Sequence, residues 1–174
     1  MELSDPKIIR SKLMDYLARR EHSEFELKSK LGRKVSSIKE LERQIENLKE
    51  NGLIDDHRFS EAYIASRQRK GFGPVRISQE LIQRGVKEEA FMDIIDSIDW
   101  LKSAQQVLLK KSKGKELNDK KIEIKLKQFL SYRGFNFFQI ENAIETFNRN
   151  EMVDGQSLKG VYDCRELILC LTKY

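Results

Sequence analysis

The sequence predicts an all-α protein, an elongated array of three tandem three-helix repeats followed by a C-terminal tail whose structure we leave unassigned. Three observations predict this fold. Only 9 Gly and 2 Pro occur among 174 residues, too few for the frequent turns of a β-sandwich. Apolar residues recur at three- and four-residue steps behind side chains that cap helices. The chain also resembles itself when it is shifted by about 50 residues.

The first repeat is delimited by N-terminal caps. Asp5 is the predicted N-cap of a helix in which Pro6 takes the first position, where a missing N–H costs nothing. Two capping boxes, Ser23–Glu26 and Ser37–Glu40, predict the starts of the next two helices. Gly52 follows the last apolar position and predicts the end of the third helix.

The later helices are bounded by the same kinds of residues. Asp55 and Asp99 are predicted N-caps, and Pro74 is predicted at a first helical position. Gly85 and Gly134 predict left-handed helix ends. Trp100, beside its cap, is interpreted as a packing anchor, and the Asp55-Asp56 pair as a cap and not as a metal site.

The internal repeat fixes the predicted boundaries. A shift of 50 residues superimposes apolar positions of the first and second units, and a shift of 49 does the same for the second and third. In the second comparison Gly85 falls on Gly134, and the last helix begins at Asn136–Gln139. We therefore predict repeats over residues 1–65, 66–112 and 113–150, with the tail over residues 151–174.

Several classes of protein are disfavoured. No apolar stretch is long enough for a membrane span, and the N-terminus lacks the pattern of a signal peptide, so we expect a cytoplasmic protein. Cys164 and Cys170 lie far from His22 and His57, which does not favour a zinc site; both histidines are expected at the surface. No phosphate-binding loop or catalytic constellation is recognisable, so we expect neither a cofactor nor enzymatic activity.

The best interaction candidates are four cations that no acid interrupts: Arg67, Arg69, Lys70 and Arg76. Such a cluster can neutralise phosphates or pair with an acidic surface of a protein. The alternative is a solvated helix end whose cations suit the helix dipole. Phe72 lies beside these cations; a place in the core or between repeats is favoured over stacking on a base.

A second basic stretch supplies weaker candidates. It carries eight lysines against three acids between residues 110 and 127, so its charge is diffuse and a solubilising surface is the default interpretation. Lysine provides point charge without bidentate base reading, so no sequence specificity is expected. The candidates are Lys110, Lys111, Lys113, Lys115, Lys120 and Lys121.

One ordered set of segments runs along most of the chain: Leu17–Ser23, Glu26-Leu27, Gly52–Asp56, Arg58-Phe59, Ala62-Tyr63, Ser66-Arg67, Gly71–Pro74, Arg76-Ile77, Glu80-Leu81, Gly85-Val86, Arg133–Phe135 and Ile140. Taken together, these segments resemble the RecX family of bacterial recombination regulators over residues 7–149. No single segment is diagnostic, but their order and spacing are. Residues 151–174 do not match the usual ending of the family.

The resemblance implies a function as well as a fold. It implies a protein that binds the RecA recombinase filament on DNA and inhibits its ATPase, strand-exchange and co-protease activities. We expect the protein to be a monomer. Recombination, DNA repair and the SOS response would be modulated in this way. Any contact with single-stranded or double-stranded DNA is expected to be weak and without sequence specificity.

An autonomous DNA-binding repressor of the winged-helix kind is the alternative. Its support is the amphipathic segment Ile45–Ile54, which ends in a short sequence, Asn51–Ile54, that is common just before a wing. A wing needs two alternating strands next. Asp56–Arg69 continues instead with helical spacing, which argues against this alternative.

Overall fold

The computed structural model describes residues 3–112 and 120–153, and this part of the chain forms nine α-helices and one 3₁₀ turn, Glu88–Ala90. The predicted all-α fold is confirmed. The predicted candidates Lys113 and Lys115 and both cysteines lie outside the described residues. The helices are α1 Pro6–Leu17, α2 Glu24–Leu31, α3 Ile38–Glu50, α4 Asp56–Arg69, α5 Pro74–Ile82, α6 Met92–Ser97, α7 Trp100–Ser112, α8 Lys120–Arg133 and α9 Phe137–Val153.

Helix α4 bears on the winged-helix alternative. It occupies Asp56–Arg69, where a wing would need strands. Within the described residues the only strand-like pairing is an isolated bridge between Leu3 and Val35. The same residues contain no helix that combines the length and the apolar character needed to cross a membrane.

The predicted caps are present. The carboxylates of Asp5 and Asp55 and the Ser23 and Ser37 hydroxyls accept hydrogen bonds from backbone N–H groups in the first turns of α1, α4, α2 and α3, respectively. Asp99 accepts from the N–H of Lys102 at 2.9 Å. These bonds satisfy donors that a helix start otherwise leaves unpaired, each typically worth ~1 kcal/mol.

Two hydrophobic cores hold the helices together. The first contains Ile9 and Leu13 of α1 packed with buried residues of α2 and α3, and it ends at Ile54. The second is shared by the helices from α4 to α9 and includes Phe59, Phe91 and Leu130. Helices α1 to α3 therefore have a core of their own, whereas helices α4 to α9 bury their apolar faces together.

Helix α7 packs against both α8 and α9. Trp100 at its start is 7% exposed and its indole N–H donates to the carbonyl of Ile95 at 2.8 Å, which confirms the anchoring role. The predicted boundaries place α7 in the second repeat. The shift of the sequence against itself aligns two helices of each repeat and leaves out the third, which links one repeat to the next. It therefore does not determine which helices α7 contacts.

The second and third repeats meet at two glycines. The N–H of Gly73 donates to the carbonyl of Arg133 at 2.9 Å, and the N–H of Val75 donates to that of Gly134 at 3.1 Å. A Cβ atom on Gly73 would lie 2.5 Å from the Gly134 carbonyl oxygen, and one on Gly134 would lie 2.6 Å from the Arg76 nitrogen. The two backbones approach this closely because neither glycine has a side chain. We call this contact the glycine joint.

The first and second repeats meet through polar groups. The Ser23 hydroxyl donates to the carbonyl of Arg84 at 2.9 Å. The Glu26 carboxylate pairs with Arg84 at 3.3 Å, with Arg20 at 2.9 Å and with His22 at 2.8 Å. Glu26 therefore connects the start of α2 to the segments that follow α1 and α5, instead of closing its capping box.

The surface position predicted for His22 is wrong, whereas that of His57, with a side chain 47% exposed, is confirmed. His22 is 2% exposed because its ring turns inward from the start of α2 onto Tyr16, with the ring centroids 5.8 Å apart. Burial lowers the pKa of His22 below 6.5, although the hydrogen bond to Glu26 opposes this shift.

The glycine joint leads to a stability prediction. Gly134→Ala should lower the free energy of unfolding for two reasons. The positive φ of residue 134 should cost an alanine about 1–2 kcal/mol, and the overlap of its Cβ atom with Arg76 should cost roughly 1–3 kcal/mol more. Gly52 is a matched control, because its φ is +67° but no atom lies within 4 Å of its Cβ position. Urea unfolding followed by circular dichroism measures both variants. If both variants lost the same free energy of unfolding, the close approach of the two backbones at the glycine joint would not contribute to stability.

Candidate functional site

The structure divides the first predicted basic cluster into two pairs. Arg67 and Arg76 are half-buried and bind one carboxylate, that of Glu80. Arg67 Nε lies 2.5 Å from Glu80 Oε2, and Arg76 Nε lies 3.1 Å from Oε1. The Tyr63 hydroxyl donates to the same carboxylate at 2.7 Å. Arg69 and Lys70, in contrast, are exposed at the C-terminal end of α4.

The charge of Glu80 is stabilised by these donors. Burial alone would raise its pKa, but the hydrogen bonds from Arg67, Tyr63 and Arg76 outweigh burial and lower the pKa below 4.5. Glu80 is therefore ionised at neutral pH and holds both guanidinium groups. Arg67 and Arg76 thereby serve as structural groups of the second repeat.

Phe72 is covered by arginines. The guanidinium carbons of Arg67, Arg76 and Arg133 lie 4.6, 4.5 and 4.9 Å from the centroid of its ring. Its ring also packs against the shared core. The position between repeats predicted for Phe72 is confirmed, and three cation–π contacts, each worth about 0.5–1 kcal/mol or more, stabilise it.

The two basic stretches meet in one cleft. A cavity of about 690 Å³ lies between α4, α7 and α8. Its lining contains cations from both predicted stretches, and Val107 and Phe129 supply its apolar part. None of the lining residues in the described part of the chain is acidic. We call it the basic cleft. Its cations are Arg69, Lys70, Lys110, Lys111 and Arg133.

Arg133 is the cation of the basic cleft that is not among the predicted interaction candidates. Its Nη1 donates to the carbonyl of Lys70 at 2.6 Å, and its guanidinium lies 5.0 Å from the ring of Phe129. It therefore supplies positive charge at the C-terminal end of α4, where helix carbonyls are unpaired. The 49-residue repeat contained a signal for it, because Arg133-Gly134 falls on Arg84-Gly85.

Two of the lysine candidates lie elsewhere. Lys120 and Lys121 begin α8 and do not line the basic cleft. Lys111 does line it, with its Nζ atom 5.2 Å from the centroid of Phe129. The structure thus brings together four predicted cations, two from each stretch, that are separated by forty residues of sequence.

The described residues contain no group of three or more His, Cys, Asp or Glu side chains that could hold a metal ion. Asp55 caps α4, as predicted. Asp56 is half-buried, one of its carboxylate oxygens has no hydrogen-bond partner, and burial raises its pKa. His57 lies 3.4 Å from Asp93 at the surface.

The fold and the cleft define a class: a helical-repeat protein whose charged cleft is suited to binding an anionic partner. Comparisons with known proteins place it more narrowly. Residues 55–91 match the family model described as the second three-helix domain of RecX, and residues 98–144 match the third. A regulatory protein RecX from Ectopseudomonas mendocina is 34% identical over 142 residues, 79% of this chain and 93% of that protein. The chain belongs to the RecX family.

Other comparisons agree. The regulatory protein RecX of Halorhodospira halophila is 36% identical over 137 residues, 78% of this chain and 85% of that protein. The crystal structure of RecX from Lactobacillus salivarius superimposes with a TM-score of 0.71 at 18% identity, covering 83% of this chain and 97% of that one. A second crystal structure, of a regulatory protein RecX, gives 0.68 at 23% identity, with 80% and 71% covered. These structures support the fold.

Glu80 leads to a prediction about pH. Glu80→Gln should lower the free energy of unfolding by about 1.5–3 kcal/mol at pH 7, because charge-assisted hydrogen bonds are lost. The pKa of Glu80 is lowered in the folded state, so its contribution is present above pH 4.5 and lost as the pH falls through the lowered value. The difference between wild type and variant should therefore shrink below pH 4.5.

Chemical denaturation at pH 7 and at pH 3 measures this difference. Glu145→Gln is the control, because Glu145 forms an ion pair with Arg149 in which both side chains are about 70% exposed. Such a pair contributes little at either pH. If Glu80→Gln lowered the free energy of unfolding equally at both pH values, the stabilising role assigned to the ionised Glu80 carboxylate would be contradicted.

Proposed function

We propose that this protein binds the RecA recombinase filament on DNA and inhibits its ATPase, strand-exchange and co-protease activities. It would thereby modulate recombination, DNA repair and the SOS response in the cytoplasm. Membership of a family whose relatives are named regulatory protein RecX supports a regulatory role. The resemblance of the sequence motifs supplies RecA as the partner.

The basic cleft is the observation that carries the proposal. Among the described lining residues its cations have no acidic neighbour, whereas Arg67 and Arg76 share the carboxylate of Glu80. A row of cations on a rigid helical frame can follow a phosphate backbone and release its counterions. The contact is weak and independent of sequence, because cations that bind phosphate oxygens do not read base edges.

The proposed action is binding alone. ATP hydrolysis belongs to the partner, and the protein restrains it as a monomer without a cofactor. Arg69 and Lys70 are the main contacts, with Lys110 and Lys111 brought alongside them by α7. Lys113 and Lys115 follow Lys111 in sequence and stay weaker candidates. An acidic surface on the recombinase is the other anion that the cleft can accept.

An ATPase assay tests the function. Substoichiometric amounts of the protein should slow ATP hydrolysis by RecA on single-stranded DNA. A variant with alanine at Arg69, Lys70, Lys110 and Lys111 should need at least about ten times more protein for half-inhibition, equivalent to ~1.4 kcal/mol of binding. The control variant has alanine at the exposed residues Lys7, Arg33, Lys34 and Lys39 and so loses the same number of positive charges. No inhibition by folded wild type at any ratio would refute the proposed function.

Salt dependence tests the cleft separately. Affinity for a single-stranded oligonucleotide should fall as salt rises, with a slope of about −0.7 in log–log form per phosphate contacted. The four-alanine cleft variant should show a slope smaller in magnitude by up to about 3, and the control variant should match wild type. Equal slopes for the two variants would remove the cleft from the DNA contact.

A further inference from the structure

Three aromatic side chains stand in solvent around the turn between α8 and α9. Tyr132 is 75% exposed, Phe137 is 78% exposed and Phe138 is 67% exposed. We call these three residues the aromatic turn. Large exposed apolar side chains that cluster in this way mark interaction surfaces more often than isolated ones do.

The aromatic turn is rigid. The N–H of Asn136 donates to the Gln139 side chain, and the N–H of Gln139 donates to the Asn136 side chain, both at 2.9 Å. Phe135 and Ile140 on either side are 4% and 6% exposed, so they fix the start of α9 to the core. The backbone that carries Phe137 and Phe138 is therefore held in place before any partner binds, which reduces the entropic cost of binding.

The segment that carries these rings has few charges, and the Arg76 guanidinium that lies 5.3 Å from the Tyr132 ring centroid is bound to Glu80. The chain is 35% charged, yet residues 131–141 contain one cation, Arg133, and one acid, Glu141. Both have partners: Arg133 binds the Lys70 carbonyl, and Glu141 pairs with Lys127 at 2.8 Å. Aromatic enrichment with charge depletion is the composition of the core of a protein–protein interface.

A groove that begins beside Tyr132 runs across the glycine joint. It has a volume of about 460 Å³ and runs between α5 and α8, with Tyr132 on one side and Val75, 45% exposed, on the other. Its other lining side chains include the neutral Gln79 and Gln83. Its charged residues, Arg76 and Glu80, bind each other at 3.1 Å.

We propose that the aromatic turn and this groove dock apolar side chains of a partner protein, while the basic cleft contacts the anionic partner. The assignment rests on the proposed function, in which the docked protein is the recombinase subunit. Charge decides between the classes of partner: a polyanion needs uncompensated cations, which line the basic cleft but not this groove. A neutral apolar surface matches the groove instead.

A paired binding experiment tests the assignment. Phe137→Ser with Phe138→Ser, and separately Tyr132→Ser, are compared with Ile8→Ser plus Ile124→Ser, which removes aliphatic side chains that are 44% and 55% exposed elsewhere. Affinity is measured for RecA filaments assembled on fluorescent oligo(dT) with a non-hydrolysable ATP analogue. The bare oligo(dT) at the same salt concentration is the second ligand.

We expect the aromatic variants to bind filaments at least tenfold more weakly and bare oligo(dT) within twofold of wild type. Their thermal unfolding should match that of the control, since the rings are exposed. Unchanged filament affinity would overturn the docking surface alone. An equal loss for both ligands would show that the rings stack on bases, which also overturns it. Wild type that binds filaments no better than bare oligo(dT) would refute the proposed function itself, and the docking surface with it.

Discussion

The close approach of two backbones at Gly73 and Gly134 is the constraint on which the rest of the second and third repeats depends. Because neither residue has a Cβ atom, the carbonyl groups of Arg133 and Gly134 accept hydrogen bonds directly from the start of α5. This contact sets Arg133 against the end of α4 and beside Phe72. The basic cleft and the groove along α5 are thus two sides of one contact between repeats.

A single carboxylate decides which cations are available for binding. Glu80 holds Arg67 and Arg76 as structural groups, so the charge that stays exposed is that of Arg69 and Lys70. In sequence the four cations are equivalent, because Glu80 lies beyond the run. Folding separates them, since α5 turns back along α4 and places Glu80 beside Arg67.

Much of the fold could be predicted from the sequence because its signals are local. Caps such as Asp55 and helix ends such as Gly134 depend on hydrogen bonds and backbone angles within a few residues. The cleft could not be predicted in the same way: Lys70 and Lys110 become neighbours only when α7 packs. The burial of His22 could not be predicted either, because it depends on the position of the Tyr16 ring, which the spacing of residues along the sequence does not reveal.

The separate core of the first repeat has a consequence for cooperativity. Helices α1 to α3 bury their apolar residues among themselves and join the remainder through the polar contacts of Ser23 and Glu26 with Arg84. Polar joints transmit less folding free energy than a continuous apolar core. The molecule therefore consists of two unequal folding units, and the larger one contains the whole basic cleft. A change that loosens α1 to α3 would therefore leave the apolar core beneath the basic cleft intact.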